Sequence, residues 1–152
     1  MSSVERSIEV EAPLSAAYNE WTDFEAYPKF MEGVRQVRLV DPTHLHWRAS
    51  IGGREQEWDA EIVQQVPDEL IAWRSVKGAR KDETVTFDPV GERRTRVTLR
   101  VDYEPAGMFE KLGRFMGVVS SRIEGDLSRF KRLIEAPAAG ARKWPGEISG
   151  PR

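Results

Sequence analysis

The sequence predicts an α+β domain in which a seven-stranded, curled antiparallel sheet wraps around one long C-terminal helix. Three observations carry that expectation. A strongly patterned hairpin lies at 44–62, apolar residues alternate with period two through most of 34–103, and the period changes to about 3.6 from Met108 onward.

The hairpin reads "LHWRASIGGREQEWDAEI" from Leu45 to Ile62. Counting outward from Gly52-Gly53 as a two-residue turn sets Ile51 opposite Arg54, Ala49 opposite Gln56 and Trp47 opposite Trp58. Side chains alternate across a strand, so Leu45, Trp47, Ala49, Trp58, Ala60 and Ile62 share one apolar face. The opposite face then pairs Arg48 with Glu57, His46 with Asp59 and His44 with Glu61. A slip of one residue would undo both faces at once.

The other elements follow in order. "VERSIEVEAP" alternates Val4, Ile8 and Val10 with acidic and hydroxyl residues, and reads as a strand stopped at Pro13. "LSAAYNEW" and "FEAYPKFM" predict two short helices, with Ser15 as a cap for the first and Pro28 making the second irregular. "VRQVRLVD" is the next strand, and "DPT" turns into the hairpin. After Ile62, the turn "VPDE" as a two- or four-residue loop sets Ile62 opposite Trp73. A three-residue loop would invert that phase, but it usually wants a glycine, and none is present.

Beyond the polar loop "KGARKDE", the segments "TVTFDP" and "TRVTLRVDY" supply Val85, Phe87, Val97, Leu99, Val101 and Tyr103 in alternation. Phe109, Leu112, Phe115/Met116, Val119, Ile123, Leu127, Phe130 and Ile134 then recur at three and four, predicting one amphipathic helix that ends at Ala136-Pro137. Six consecutive hairpin-linked strands make a sheet with one apolar face, which only the long helix is large enough to cover. Residues 1–136 are expected to form a single domain and 137–152, rich in Ala, Gly and Pro, a flexible tail.

Composition narrows the chemistry. In 152 residues, 23 Lys+Arg stand against 25 Asp+Glu with the signs interspersed, so there is no electrostatic footprint for nucleic acid. Arg93, Arg94 and Arg96 in "GERRTR" read as a hairpin rim. The absence of cysteine excludes disulfides and thiolate chemistry. No segment has the length of a membrane span or a signal peptide, so a soluble cytoplasmic protein is expected. His44 and His46 share a strand face, but their predicted partners are acids, and pairing across the strands is preferred to a metal site. The G-x-x-x-G of Gly113 and Gly117 points to close approach of the helix to the sheet. Hydrolase, nucleotide-binding and metalloprotease motifs are absent.

The order strand, two short helices, six strands, long helix resembles the helix-grip fold of the START-related lipid-transfer and polyketide cyclase/dehydrase superfamily, also called SRPBCC proteins. The N-terminal signature of that family is similar to "SIEVEAPLSAAYNEWTDFEAYPKFMEGVRQV" here, carried by Trp21, Asp23, Phe24, Tyr27, Pro28, Phe30 and Met31. "HWRASIGGREQEW" and "IAWRS" resemble the Trp-bearing strands of its bacterial cyclase/dehydrase-like branch. The resemblance spans about residues 4–135 and implies an elongated internal cavity for an apolar or aromatic molecule. One fold hosts many functions, so it speaks for the fold more than for a reaction.

Candidate ligand-binding residues are Trp47, Trp58, Trp73, Ser75 and Tyr103, with Phe30, Met31, Phe115 and Met116 as apolar wall; core packing is the competing reading for the aromatic and methionine side chains. Polar residues in phase with the apolar face are Arg35, Gln56, Ser75, Glu83, Thr95 and Tyr103, each of which needs a partner if buried. No residue is assigned as catalytic, and no cofactor or metal is expected. The leading expectation is a carrier or sensor of a hydrophobic, polyketide- or lipid-like molecule. A cofactor-free cyclase, aromatase or dehydratase working by acid-base catalysis comes next, and an assembly protein with a closed cavity third. A homodimer is compatible with all three.

Overall fold

The structure, a computed structural model, describes residues 2–51, 54–76, 81–103 and 112–136; at 2, 51, 54, 103 and 112–118 it describes the backbone alone. The Gly52-Gly53 turn, the start of the predicted helix at Met108, and the tail 137–152 lie outside the described residues.

β1 (Ser2–Val10) is followed by α1 (Leu14–Trp21) and a 3-10 helix (Phe24–Lys29). Then come β2 (Val34–Asp41), β3 (His44–Ile51), β4 (Arg54–Val66), β5 (Leu70–Ser75), β6 (Lys81–Gly91), β7 (Arg94–Tyr103) and α2 (Leu112–Glu135). The sheet order is β1-β7-β6-β5-β4-β3-β2, every neighbour antiparallel. Hairpins place five of the six steps between chain neighbours. The sixth brings β1 back against β7, and the curl of the sheet follows from it.

The β3–β4 register is the one its sequence pattern requires: Trp47 pairs with Trp58, Ala49 with Gln56 and Ile51 with Arg54. Ile62 also pairs with Trp73, but for a different reason from the one expected. The β4–β5 connection is a three-residue loop, with Val66 paired to Leu70. Asp68 occupies the left-handed position there, at φ 65°, a conformation that aspartate tolerates better than most residues. A bulge between Ile62 and Gln64 then inserts Val63 and restores the phase. Two one-residue shifts cancel.

Three further expectations are corrected. Ser15 does not cap α1: the cap position is Pro13, and no side chain supplies a cap bond. The charge-matched hairpin face keeps its register and the expected His46–Asp59 pair, but Arg48 and His44 take other partners. His46 Nδ1 meets Asp59 at 2.7 Å and its Nε2 meets Glu57 at 2.8 Å, whereas Arg48 donates to Gln36 and His44 pairs with Asp41. Glu61 is bound by Arg74 of β5. Strand twist brings diagonal neighbours within reach of long side chains, so a charged residue need not bind the one directly opposite. Finally, α2 does not cover the sheet alone. Trp21, Phe24, Tyr27 and Phe30, from α1 and the segment after it, are all buried and share the closing layer with Ile123, Leu127 and Phe130.

The His46 clasp makes stability pH-dependent in a defined direction. Its pKa is raised by the hydrogen bonds that its ring donates to Asp59 and then Glu57. A group with a raised folded pKa contributes fully below its unfolded value of about 6.5, and the contribution is lost as pH rises through the folded pKa. Thermal unfolding followed from pH 6 to pH 9 should show His46→Gln converging on the wild type at the alkaline end and falling below it at the acid end. A constant difference across that range would contradict the clasp.

Candidate functional site

Sheet and helix do not close completely. Between them lies a cavity of about 330 Å³ lined by Met31, Val34, Trp47, Gln56, Trp58, Lys81, Glu83, Leu99, Val101, Val119, Arg122, Ile123 and Asp126. That volume falls at the lower end of the roughly 300–1,000 Å³ typical of small-molecule sites.

Register explains the indole wall. Trp47 and Trp58 project from one face at the same height, and their rings stack with centroids 5.6 Å apart and planes 10° from parallel. Trp47 is buried and Trp58 half-buried, so Trp58 presents the ring surface available to an occupant. Trp73 lies behind this pair, 6.0 Å from Trp47 between centroids, in contact with Tyr27 and outside the lining. Tyr27 is fully buried and donates its hydroxyl to the Trp21 carbonyl oxygen at 2.8 Å. Burial, reinforced by the charges of Glu83 and Asp23, pushes its phenol well above the ordinary range. It is a neutral structural donor.

Polar groups interrupt the apolar lining at two places. On the sheet side, the Glu83 Oε2 atom accepts from Trp73 Nε1 at 3.3 Å and meets Lys81 Nζ at 3.5 Å. Lys81 also stands 5.9 Å over the Trp58 ring. On the helix side, Asp126 Oδ1 accepts from Arg129 at 2.6 Å and from the Glu32 backbone N–H at 3.2 Å. Arg122 donates to the Glu32 carbonyl oxygen and Arg129 to that of Phe30. Burial raises the Asp126 carboxyl above its usual range, against the opposing pull of Arg129, the Glu32 N–H and Arg122. Three residues of α2 thus clasp the 30–33 segment and hold Met31 in the cavity wall. Gly33 makes that approach feasible: its φ is 82°, and an added Cβ would sit 2.6 Å from the Ser50 carbonyl oxygen.

Of the residues singled out from sequence, Trp47, Trp58 and Met31 line the cavity. Trp73 and Phe30 pack in the core, Phe30 against Trp21 and Phe130. Ser75 accepts from the Lys81 backbone N–H at 3.1 Å, at the base of the β5–β6 connection. The side chains of Tyr103, Phe115 and Met116 lie outside the described residues. Among the other inward-phase polar residues, Gln56 and Glu83 reach the cavity, Arg35 pairs with Glu55 at the surface, and Thr95 is buried, donating to the Ala12 carbonyl oxygen at 2.8 Å.

Lys81, Arg122 and Asp126 were not foreseen. The polar composition of "KGARKDE" runs on through Lys81, which begins β6 and stands in phase with Glu83. Arg122 and Asp126 lie three and seven residues beyond Val119, and helical spacing alone places them on the apolar stripe.

The sequence profile described as polyketide cyclase / dehydrase and lipid transport matches residues 10–132. The chain belongs to this family. The chain is also similar to a 17.2 kDa protein of the melC2-rnhH intergenic region of Streptomyces lincolnensis, 42% identical over 149 residues, covering 97% of this chain and 99% of that protein. The crystal structure of Zhui aromatase/cyclase from Streptomyces sp. R1128 shares the fold, with a TM-score of 0.75 at 17% identity over 89% of this chain and 96% of that one. So does a START superfamily protein from Mycobacterium smegmatis, with a TM-score of 0.66 at 19% identity over 84% and 97% of the two chains. For this family member, no helix among the described residues is long and apolar enough to cross a membrane.

Proposed function

We propose that the chain binds a flat hydrophobic molecule, aromatic or polyketide-like, in the cavity between sheet and α2, as a carrier or sensor. The observation that carries this reading is the stacked indole pair at the cavity wall, with Trp58 half-buried beside about 330 Å³ of space. An indole stacked on one side presents the rest of its surface to a planar partner, here with the Lys81 ammonium 5.9 Å from the ring centroid, and offset stacking adds about 0.5–1.5 kcal/mol beyond area burial. The family description, which joins cyclisation and dehydration to lipid transport, supports the same class of occupant. Balanced charge, 23 cations to 25 acids, supports a partner set without nucleic acid. A cytoplasmic location, and either a monomer or a homodimer, belong to the same proposal.

A titration of intrinsic tryptophan fluorescence with 1,8-dihydroxyanthraquinone and, separately, with lauric acid tests this. Saturable quenching by the quinone at micromolar concentration, with a weaker response to the acyl chain, is the expected result. Indifference to both would remove the reading.

A second reading is favoured by the titratable groups on the cavity walls. Lys81 and Glu83 on one side, and Arg122 and Asp126 on the other, supply the acid, base and cationic donors that enolisation and aromatising cyclisation require. The assay is incubation with a reactive poly-β-ketone thioester, watching for an aromatic absorbance that grows only in the presence of protein.

A further inference from the structure

We propose that Glu83 is the specificity-determining residue of this cavity and that it selects ligands carrying a hydroxyl or N–H donor on the ring edge, such as phenols and enols. The inference rests on the binding reading above and sharpens it to a chemical class.

The geometry of the carboxylate points to this role. Both groups that hold Glu83, the Trp73 indole N–H and the Lys81 ammonium, meet the same oxygen, Oε2. Among the described residues Oε1 has no partner, although the side chain is only 14% exposed and lines the cavity. A carboxylate has about four acceptor sites, and Oε1 faces open cavity space, so a ligand that covers it without donating a hydrogen bond leaves it unbonded at a cost. The Trp73 hydrogen bond and the Lys81 ion pair at Oε2 also orient the carboxylate, so Oε1 is positioned before a ligand enters.

The neighbouring groups set the sign of the preference. Trp58 supplies the stacking surface, with Lys81 on one side of its ring. Because Lys81 is already paired with Glu83, the ammonium is partly neutralised, and an anionic ligand would bring its charge against the carboxylate. A ligand with only acceptors would leave Oε1 dry and unbonded. A ring hydroxyl instead donates to Oε1 while its ring stacks on Trp58. Hydrogen bonds to charged groups contribute about 1.5–3 kcal/mol, which corresponds to at least tenfold in affinity.

Three probes of similar size separate the alternatives: 2-naphthol, 2-methoxynaphthalene and 2-naphthoate, titrated calorimetrically at pH 7 into the wild type and Glu83→Gln. The expected result is 2-naphthol binding at least tenfold more tightly than either of the others. That preference should be lost in Glu83→Gln, whose amide turns a donor toward the cavity when its oxygen keeps the bond to Trp73. Circular dichroism of the variant checks that the fold is intact, and the wild-type panel decides the matter if it is not. Equal affinities for naphthol and its methyl ether, or tighter binding of the naphthoate, would overturn the role of Glu83 while leaving the cavity reading standing. Failure of all three probes to bind would overturn both.

Discussion

Phe130→Ala is expected to lower the stability of the fold by about 3–5 kcal/mol, the range for truncating a fully buried aromatic. Phe130 is 0% exposed and sits where α2 meets the N-terminal aromatic layer. Its ring lies 4.8 Å from that of Trp21 and 5.4 Å from that of Phe30, both edge-on. Removing it opens a hole that Trp21 cannot fill, because Trp21 is itself held against Tyr27 and Phe30. Chemical denaturation should show an earlier midpoint with an unchanged slope. A loss below about 1 kcal/mol would mean that the short helices, and not α2, close the core. Tryptophan fluorescence gives a second readout, since Trp21 is the indole nearest the deletion.

Trp58→Ala is expected to act on binding much more than on folding. Trp58 is half-buried and contributes one face of its ring to the cavity. Loss of that surface and of the stacking should weaken 2-naphthol by roughly ten- to a hundredfold, about 1.5–3 kcal/mol. The stability cost should be smaller, about 1–2 kcal/mol. Trp47→Ala should reverse the ranking, because Trp47 is buried and packs against Tyr27 and Trp73 as well as Trp58. Affinity unchanged in Trp58→Ala would contradict the placement of the ligand against the indole pair.

The contrast between these two tryptophans also shows where sequence patterning has force. Alternation and the Gly52-Gly53 signal specify the β3–β4 register because one face must be apolar, and a slip of one residue would expose two indoles. The same logic gives the long helix and the six consecutive hairpin-linked strands, but not the return of β1 against β7. What sits behind the register is less determined. Trp47, Trp58 and Trp73 all share the apolar face, yet only the first two line the cavity, because depth depends on how α1 and the 3-10 helix pack, and no local period encodes that. Glu83 could be found by parity. Lys81 was hidden by a loop composition that continues into a strand, and Arg122 and Asp126 by attention to the apolar members of a stripe whose polar members do the clasping. Asp68 and the bulge at Val63 show a third limit: an aspartate in a glycine's position and a compensating insertion leave the outer pattern intact.

The central claim is that the space between the indole pair and α2 is a binding site for a flat molecule. A crystal structure of the protein with 2-naphthol tests it most directly. The account predicts the ring lying against Trp58, between Leu99 and Ile123, with its hydroxyl within hydrogen-bond distance of Glu83 Oε1. A naphthol found on the outer face of the sheet, or a cavity filled by rearranged side chains with no ligand inside, would contradict it.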